Sequence, residues 1–369
     1  MKNFNVSTKN DLKQFIEDKA FKKILVIAGN KSFELSGLKN FFDSIKNKNI
    51  KYFFKKCFFP EYSELIQIIE EIKLYSPDLI IAAGGGSVLD YAKIANTIFY
   101  EENLEKKITS SSYKLINPDR KIVAIPTTAG SGAEVTSNAV IYINNVKYSV
   151  EGELVKPNYF FLIPEFISGA SNKIKSSAGF DAIAQSMESL ISMKSNELSV
   201  KYATDSLKIS LKYYIKFLSN PNLDNTSAMA VAANLSGKAI SISKTTAPHA
   251  VSYPFTSMFN ISHGHAVSLT LEKFMLYNFK NLKENKAKFD LNKRFKILFD
   301  LSNTNNITDF TFFVSELKKK ANLESNYKNL GINIGGAIDK ILSEVNDQRL
   351  SNNPIPIDKG IIKKILSEN

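Results

Sequence analysis

Short apolar runs alternate with amphipathic segments along the first half of the chain. Buried β-strands are predicted for the short apolar runs at residues 23–29, 52–54, 79–83 and 122–126. Between these runs, apolar residues recur at helical spacing in residues 37–45 and 64–75. Strands that alternate with helices are typical of a parallel sheet with helices on its faces. We therefore predict an α/β domain over residues 1–165.

From about residue 168 onward, the apolar positions follow the helical period. Helices are predicted within residues 179–193, 197–218, 226–243 and 266–280, and few strand signals interrupt them. This pattern indicates an all-α domain over residues 166–369. The sequence contains no internal repeat and no low-complexity linker between the two predicted domains.

Composition narrows the possible classes of protein. Of the 369 residues, 44% are hydrophobic and 23% are charged, which excludes a disordered tail and a collagen-like fibre. The single cysteine, Cys57, excludes an internal disulfide and any Cys-based zinc or iron–sulfur site, and it suits a reducing compartment. No run approaches the ~20 apolar residues needed to span a bilayer. Residues 1–7 lead into polar sequence, so we expect a cytoplasmic protein with no membrane partner.

The net charge is +12, but the lysines that produce it are dispersed along the chain. The longest basic run covers residues 318–320, and no helix-turn-helix, RNP or zinc-finger pattern accompanies it. Dispersed lysines are typical of a solvated surface, so we expect no nucleic-acid partner. A basic surface also suits a small anionic substrate.

Two turns rich in glycine and hydroxyl residues follow predicted strands. The first covers residues 84–87 and leads into a predicted helix, whose N-terminus attracts anions. It is neither a G-x-G-x-x-G fingerprint nor a Walker A loop, so alone it equally suits a tight turn that binds nothing. The second covers residues 126–136. Because α/β sheets bind ligands at the carboxyl ends of their strands, two such turns favour a nucleotide site.

All three histidines of the chain, His249, His263 and His265, fall within seventeen residues. Histidine is the commonest metal ligand, and histidine combined with a carboxylate suits Fe, Zn, Mn, Ni or Co. Asp181 and Gln185 lie four residues apart on a predicted helix, so both side chains share one face and could reach one ion. Chance clustering of the histidines, and a plain helix-N-terminal role for Asp181, are the alternatives.

Taken in order, these motifs resemble those of the iron-containing (group III) alcohol dehydrogenase family, which shares its fold with dehydroquinate synthase. Residues 84–93 resemble the family's GGGSxxDxAK, residues 126–136 its PTTAGTGSEVT, and residues 349–356 its NNPRP tail. The resemblance covers nearly the whole chain. It implies an α/β dinucleotide-binding domain with a parallel sheet, an all-α domain that binds metal and substrate, and a homodimer.

The resemblance also implies roles for individual residues. The metal, expected to be Fe, Zn or Mn, would be held by Asp181, Gln185, His249 and His263. NAD(H) or NADP(H) would be bound by the two turns and nearby positions: Gly29, Gly85, Gly86, Ser87, Asp90, Thr127, Thr128, Ser131 and Lys147. Gly29 lies near the position where NAD-preferring members often carry Asp, which slightly favours NADP(H).

The sequence departs from the family pattern at two of these positions. Gln185 stands where the family usually has histidine, and a glutamine oxygen binds Fe or Zn more weakly than imidazole does. The site is therefore expected to hold metal less tightly, to prefer a harder ion, or to work without one. Tyr253 replaces a histidine implicated in proton relay, and it could donate a proton or only shape the pocket; His265 could handle the proton instead. Lys244 or His265 could pair with an anionic substrate.

Within the family, this combination looks more like the phosphonoacetaldehyde reductases, which make 2-hydroxyethylphosphonate, than the common ethanol or propanediol enzymes. We therefore predict an NAD(P)H-dependent, metal-assisted reductase of a small aldehyde, with phosphonoacetaldehyde as the first candidate. One alternative is an iron- or zinc-dependent alcohol or aldehyde dehydrogenase with an uncharged substrate. Another is a non-catalytic nucleotide-binding relative with a degraded metal site. The ordered motifs disfavour a lyase of the dehydroquinate synthase type.

Overall fold

The chain forms two compact units. The computed structural model describes residues 4–18, 20–345 and 347–368. Unit 1 comprises Met1–Ser171 and Pro221–Asn234, and unit 2 comprises Asn172–Asn220 and Leu235–Asn369. The domain boundary placed at residues 165 and 166 from the sequence stays a prediction.

The strands belong to unit 1. Within its described residues they are β1 (Lys23–Gly29), β2 (Asn49–Lys55), β3 (Leu79–Gly84), β4 (Lys121–Pro126), β5 (Asn138–Ile143), β6 (Val146–Glu151) and β7 (Tyr159–Phe160). The first four and β7 form a parallel sheet in the order β2-β1-β3-β4-β7, and β5 pairs with β6 as an antiparallel hairpin. The parallel sheet predicted from the alternating pattern is therefore confirmed.

Helices cover both faces of this sheet. They are α1 (Lys9–Asp18), α2 (Asn30–Leu35), α3 (Leu38–Asp43), α4 (Tyr62–Tyr75), α5 (Gly86–Ile98), α6 (Leu104–Thr109) and α7 (Pro164–Ser168), with a 3₁₀ turn at Glu153–Val155. Along β1, Leu25 and Ile27 join one buried cluster, whereas Ile24, Val26 and Ala28 join another. Alternate residues of a strand point to opposite faces, so both faces of β1 are covered and its sequence is continuously apolar.

The β5–β6 hairpin was not predicted from the sequence. Its turn residues, Asn144 and Asn145, have φ values of 50° and 64°, and asparagine adopts this left-handed region more easily than most residues do. Two such residues in a two-residue loop match the turn that suits the twist of a hairpin. The Asn-Asn pair between apolar strands was therefore the signal that could have identified the hairpin.

Unit 2 is helical. Its helices are α8 (Asn172–Ile191), α9 (Glu197–Ser219), α11 (Ala247–Phe259), α12 (His263–Ser268), α13 (Leu271–Lys280), α14 (Leu291–Ser302), α15 (Ile307–Lys320), α16 (Ile334–Glu344), α17 (Asp347–Leu350) and α18 (Lys359–Ser367), with a 3₁₀ turn at Leu282–Glu284. Helix α10 (Leu223–Ser243) begins in unit 1 and ends in unit 2. Val251, Phe255, Phe274, Ile341 and Ile362 belong to one buried cluster of unit 2. The predicted all-α architecture is confirmed. No helix in the described part of the chain is long and apolar enough to cross a membrane.

Helix α8 is longer than the pattern indicated. It begins at Asn172 rather than near residue 179, and its residues 175–177 are buried although two of them are serines and one is a lysine. Ser176 and Ser177 are buried, and the hydroxyl of Tyr214 donates to the Ser176 carbonyl at 2.6 Å. Asp181 therefore lies inside the helix, and the helix-N-terminal alternative for it was wrong.

The single helix predicted for residues 266–280 is two helices. Helix α12 ends at Ser268 and α13 begins at Leu271. At the junction, the N–H groups of Leu269 and Thr270 donate three residues back, to Ala266 and Val267. Such tight bonds end an α-helix, while the apolar spacing on either side continues unchanged. Periodicity alone could not reveal this break.

Candidate metal and cofactor sites

The two glycine-rich turns of unit 1 lie at one edge of the parallel sheet. Strands β1, β3 and β4 end at Gly29, Gly84 and Pro126, and the strand register pairs Gly84 with Pro126. The N–H of Thr127 donates to the Gly84 carbonyl at 2.9 Å. The structure therefore places seven of the predicted cofactor residues at this edge: Gly29, Gly85, Gly86, Ser87, Thr127, Thr128 and Ser131.

The two turns contact each other, most closely at Gly86. A Cβ atom added to Gly86 would lie 2.8 Å from the hydroxyl of Ser131, whereas one added to Gly85 would lie 3.6 Å from Thr128. Helix α5 begins at Gly86, so its positive end lies at the same place. Glycine backbone, hydroxyl groups and a helix N-terminus together suit the phosphates of a dinucleotide.

A buried lysine holds the second turn against α5. Lys93 is 1% exposed, and its ammonium group donates to the Ala133 carbonyl at 2.9 Å, the Thr136 hydroxyl at 2.8 Å and the Asn138 carbonyl at 2.6 Å. Lys93 was not among the predicted cofactor residues. Its place in the motif at residues 84–93 could have identified it. Its role could not be predicted from the sequence, because its three acceptors lie 40 to 45 residues further along the chain.

Asp90 and Lys147 lie at the hairpin rather than between the turns. The Asp90 carboxylate accepts from the N–H of Val140 on β5 at 3.1 Å. Burial raises the pKa of Asp90 to about 6, although the positive charges of Lys93 and Lys147 oppose this shift. These contacts connect α5 to the hairpin, and the cofactor-binding roles of Asp90 and Lys147 stay predictions.

In unit 2, a carboxylate and two imidazoles from three helices converge. Asp181 lies on α8, His249 on α11, and His263 is the first residue of α12. One ligand atom from each lies within 4.8 Å of the other two. The Nε2 atom of His249 is 3.2 Å from Oδ1 of Asp181, and the two imidazole ring centres are 5.2 Å apart. Asp181 and His249 are buried, and His263 is half-buried.

A glycine beside His263 allows this convergence. A Cβ atom on Gly264 would lie 2.0 Å from the carbonyl oxygen of Ser177 and 2.8 Å from the Cβ atom of Asp181. No side chain fits at the first distance, so α12 can contact α8 only because residue 264 is glycine. The next N–H group, that of His265, donates to the Ser177 hydroxyl at 3.1 Å.

Glu188, which was not predicted as a site residue, holds His249. The Nδ1–H group of His249 donates to Oε1 of Glu188, which is fully buried. Burial alone would lower the pKa of His249, but the carboxylates of Glu188 and Asp181 raise it to about 9. Glu188 follows Asp181 by seven residues, which places both on one face of α8, but this spacing alone does not distinguish Glu188 from the other polar residues of the helix.

Gln185 lies beside Asp181, and both ends of its amide are engaged. Its Nε2 donates to Oδ2 of Asp181 at 3.1 Å, and its Oε1 accepts from the hydroxyl of Ser236 at 3.0 Å. Gln185 therefore lies at the predicted place, but its oxygen faces Ser236 rather than the space between the three ligand residues. Its role as a metal ligand stays a prediction.

The three predicted catalytic side chains lie in different surroundings. The ring of Tyr253 stacks on His263, with ring centres 5.6 Å apart and planes inclined by 13°. The Nε2–H group of His265 donates to the carbonyl of Glu324 at 2.7 Å, which connects α12 to the segment after α15. Lys244 lies between α10 and α11 with a φ of 59°. Of the three, Tyr253 contacts a candidate metal ligand directly.

The third family motif, residues 349–356, contacts unit 2 where helices α8 and α10 end. The side-chain amide of Asn352 donates to three acceptors: Ser192 Oγ at 2.9 Å, the Ser243 carbonyl at 2.9 Å and the Thr245 carbonyl at 2.8 Å. Helix α17, just before it, carries Arg349. Burial raises the pKa of Tyr253, and the positive charge of Arg349 opposes that shift, which places the guanidinium within electrostatic range of the Tyr253 hydroxyl.

Two family models together match nearly the whole chain. The model "Iron-containing alcohol dehydrogenase" matches residues 3–164, and the model "Fe-containing alcohol dehydrogenase family, C-terminal" matches residues 175–369. The chain belongs to the iron-containing alcohol dehydrogenase family. The resemblance noted in the three motifs is therefore confirmed.

Three individual proteins that the chain resembles share less than 30% sequence identity with it. The chain is 29% identical over 220 residues to the phosphonoacetaldehyde reductase of Streptomyces viridochromogenes, over 57% of this chain and 56% of the relative. It is 28% identical over 228 residues to the 4-hydroxybutyrate dehydrogenase of Clostridium kluyveri, over 60% and 61% of the two chains. The chain thus spans less than two thirds of the length of these relatives. The crystal structure of sulfoacetaldehyde reductase from Bifidobacterium kashiwanohense in complex with NAD⁺ has the same fold, with a TM-score of 0.86, 23% identity and coverage of 99% and 95%.

The residues of unit 2 fit the metal that the name of the family implies. One carboxylate and two imidazoles form a donor set that suits Fe, Zn or Mn. The buried hydroxyl oxygen of Ser262, next to His263, has no hydrogen-bond partner in the described part of the chain. Buried polar atoms are normally satisfied, so an orphaned one beside the ligands is consistent with a place for an ion or its water.

Proposed function

We propose that this chain is a metal-assisted, NAD(P)H-dependent reductase of a small aldehyde that carries an anionic group, with phosphonoacetaldehyde as the first candidate. The observation that carries this proposal is the convergence of Asp181, His249 and His263. These are the donors that a divalent ion requires, in a chain that belongs to the iron-containing alcohol dehydrogenase family. A cytoplasmic location remains a prediction from the sequence, and a homodimer remains a prediction from the resemblance.

The reduction moves a hydride to the aldehyde carbon and leaves negative charge on its oxygen. A divalent ion held by Asp181, His249 and His263 would supply Lewis-acid stabilisation of that charge. Tyr253 stacks on His263 and carries a hydroxyl, so among the predicted proton donors it is the one beside the ligands. We therefore assign Tyr253 the task of holding the proton that the alcohol product requires.

The nucleotide is assigned to the edge of the sheet in unit 1. The turn at residues 84–87, the turn at residues 126–136 and the start of α5 meet there, which supports phosphate binding. The solved relative named as sulfoacetaldehyde reductase was crystallised with NAD⁺. NADH and NADPH both remain open, with the slight preference for NADPH that Gly29 indicates.

The anionic group of the substrate is inferred from the relatives and from two cations. Phosphonoacetaldehyde, sulfoacetaldehyde and 4-hydroxybutyrate, named in three relatives, all carry an acidic group. Arg349 lies within electrostatic range of Tyr253, and Lys244 precedes the helix that carries His249. A guanidinium binds a phosphonate or sulfonate through paired N–H groups, and such charged hydrogen bonds discriminate well against uncharged analogues.

The first prediction compares aldehydes. With NADPH or NADH and added Fe²⁺, Zn²⁺ or Mn²⁺, kcat/KM for phosphonoacetaldehyde should exceed that for butyraldehyde by about 10–100-fold, as a charged hydrogen bond allows. Arg349→Gln should reduce this ratio and leave kcat/KM for butyraldehyde within about twofold. Equal kcat/KM for both aldehydes would favour the alternative of a dehydrogenase with an uncharged substrate. Cofactor binding without any turnover would favour the non-catalytic alternative.

The second prediction concerns the nucleotide turn. Alanine at Gly85 is compatible with its backbone, where φ is −74°, and its Cβ atom would lie at an ordinary 3.6 Å from Thr128. The added methyl group would occupy the space where the backbone approaches the phosphates. Gly85→Ala should therefore raise the KM for NAD(P)H at least about tenfold, because displacements of ~1 Å are costly at such sites.

The control for Gly85→Ala is a measurement of whether the variant is as stable as the wild type. Urea unfolding of the variant should match that of the wild type, and the KM for the aldehyde should change little. An unchanged KM for NADH and NADPH would place the nucleotide elsewhere.

A further inference from the structure

Two of the candidate metal ligands form hydrogen bonds with side chains to which the proposed reaction assigns no role. His249 is contacted by Glu188, and Asp181 is contacted by Gln185. All four residues are buried, with exposures of 0 to 4%. The question is whether these contacts are ordinary packing or determine how the ligands face an ion.

The Glu188 carboxylate is fully committed within the protein. Its Oε2 accepts from both the N–H and the hydroxyl of Thr246, at 2.7 Å and 2.9 Å, and its Oε1 accepts from Nδ1–H of His249. A carboxylate has no proton to give here, so Nδ1 of His249 must carry the hydrogen. Nε2, the ring atom that faces Asp181, is therefore the one that can bind a metal once it has lost its own hydrogen.

The amide of Gln185 has one consistent orientation. A carboxylate oxygen only accepts, so the NH₂ group of Gln185 must face Oδ2 of Asp181. The amide oxygen is then occupied by the hydroxyl of Ser236, which is fully buried. Gln185 thus holds one oxygen of Asp181 and leaves Oδ1, the atom 3.2 Å from Nε2 of His249, as the donor.

We propose that Glu188 and Gln185 are positioning residues of the metal centre, and that the chain supplies three metal-ligating side chains rather than four. Glu188 orients His249 through its Nδ1–H group, and Gln185 restricts Asp181 to one donor oxygen. This inference rests on the metal centre of the proposed function and goes beyond it. It assigns Gln185 a hydrogen-bonding task at the position where the family usually places a ligand.

The test of Glu188 measures metal affinity rather than turnover. In the full chain, Glu188→Gln should weaken Co²⁺ and Zn²⁺ binding, measured by competition with a chromophoric chelator, by about 10–100-fold, the usual cost of losing such a hydrogen-bond partner. Thr246→Val, which removes one of the two groups that hold Glu188, should weaken binding by a smaller factor. Glu188→Asp should recover part of the affinity lost in Glu188→Gln, because it keeps the carboxylate.

A matched control separates positioning from folding. Glu64 is a second buried carboxylate, 3% exposed, which accepts from the N–H groups of Lys56 and Cys57 in unit 1. Glu64→Gln should lower the urea midpoint without changing the Co²⁺ dissociation constant. If Glu188→Gln likewise lowers only the midpoint, Glu188 is structural and the inference is overturned.

The test of Gln185 uses the visible spectrum of the Co²⁺-loaded chain. If Gln185 is not a ligand, Gln185→Ala keeps the same donors, so the Co²⁺ band positions should match those of the wild type while the dissociation constant rises about tenfold or more. A change in band positions and intensity would identify Gln185 as a ligand and overturn its assignment. Failure of the wild-type chain to bind Co²⁺ or Zn²⁺ would instead remove the metal centre of the proposed function itself.

Discussion

Replacing Gly264 with alanine is expected to disrupt unit 2 and its proposed metal centre together. The new Cβ atom would lie 2.0 Å from the Ser177 carbonyl, so α12 would have to move away from α8. We expect a loss of about 3 kcal/mol in the free energy of unfolding, at the upper end for overpacking. His263 adjoins residue 264 and would move with it. Metal affinity should therefore fall by about 100-fold, as ~1 Å displacements at reacting sites allow.

Urea unfolding and Co²⁺ titration of the same preparations test this prediction. Gly335→Ala on α16 is the matched control, because the nearest atom to its added Cβ atom is 3.7 Å away. Gly335 is the second residue of α16, where alanine is favoured over glycine by less than the ~0.5–1 kcal/mol of a helix interior, so this control should be at least as stable as the wild type. A Gly264→Ala variant with wild-type stability and affinity would show that α12 does not depend on this close approach.

The strands predicted most completely are those buried on both faces, whereas only residues 52–54 of the half-buried β2 were predicted. β1, β3 and β4 are continuous apolar runs because helices cover both sides of the sheet, and such runs stand out from their surroundings. The β5–β6 hairpin mixes buried and exposed positions, and its turn lacks the glycine that marks most tight hairpins. Helix α8 was shortened in the prediction because Ser176 and Ser177 are polar but buried, so the apolar pattern begins later than the helix does.

The candidate metal ligands stood out in the sequence because histidine is rare in this chain. His249 and His263 are two of three histidines, and Asp181 was assigned from its spacing to Gln185 and from the family resemblance. Glu188 could not be found in the same way. Helix α8 is buried on nearly all sides around the site, so periodicity does not indicate which of its polar residues faces α11. The partners that give Glu188 and Gln185 their tasks, Thr246 and Ser236, are more than 50 residues distant and adjoin them only in the folded unit.

Replacing His263 with asparagine should abolish most of the proposed reductase activity by removing one of the three candidate donors. We expect kcat to fall by about 10²–10³-fold, the usual cost of losing the group that stabilises charge on the reacting oxygen. The same loss should appear in the wild type after metal is stripped with a chelator. Adding Fe²⁺, Zn²⁺ or Mn²⁺ should restore the stripped wild type but not His263→Asn. These comparisons require steady-state kinetics together with metal analysis of each sample.

The comparison of stripped and metal-loaded wild type isolates the effect of the metal, because the two samples have the same amino-acid sequence and differ only in the bound ion. His263 also stacks on Tyr253, so asparagine at this position loses a ring contact as well as a donor. If the stripped wild type retained full turnover while His263→Asn lost it, the imidazole would act through Tyr253 and the pocket rather than through an ion. If both retained full turnover, Asp181, His249 and His263 would have no part in the reaction, and the donor set would be structural.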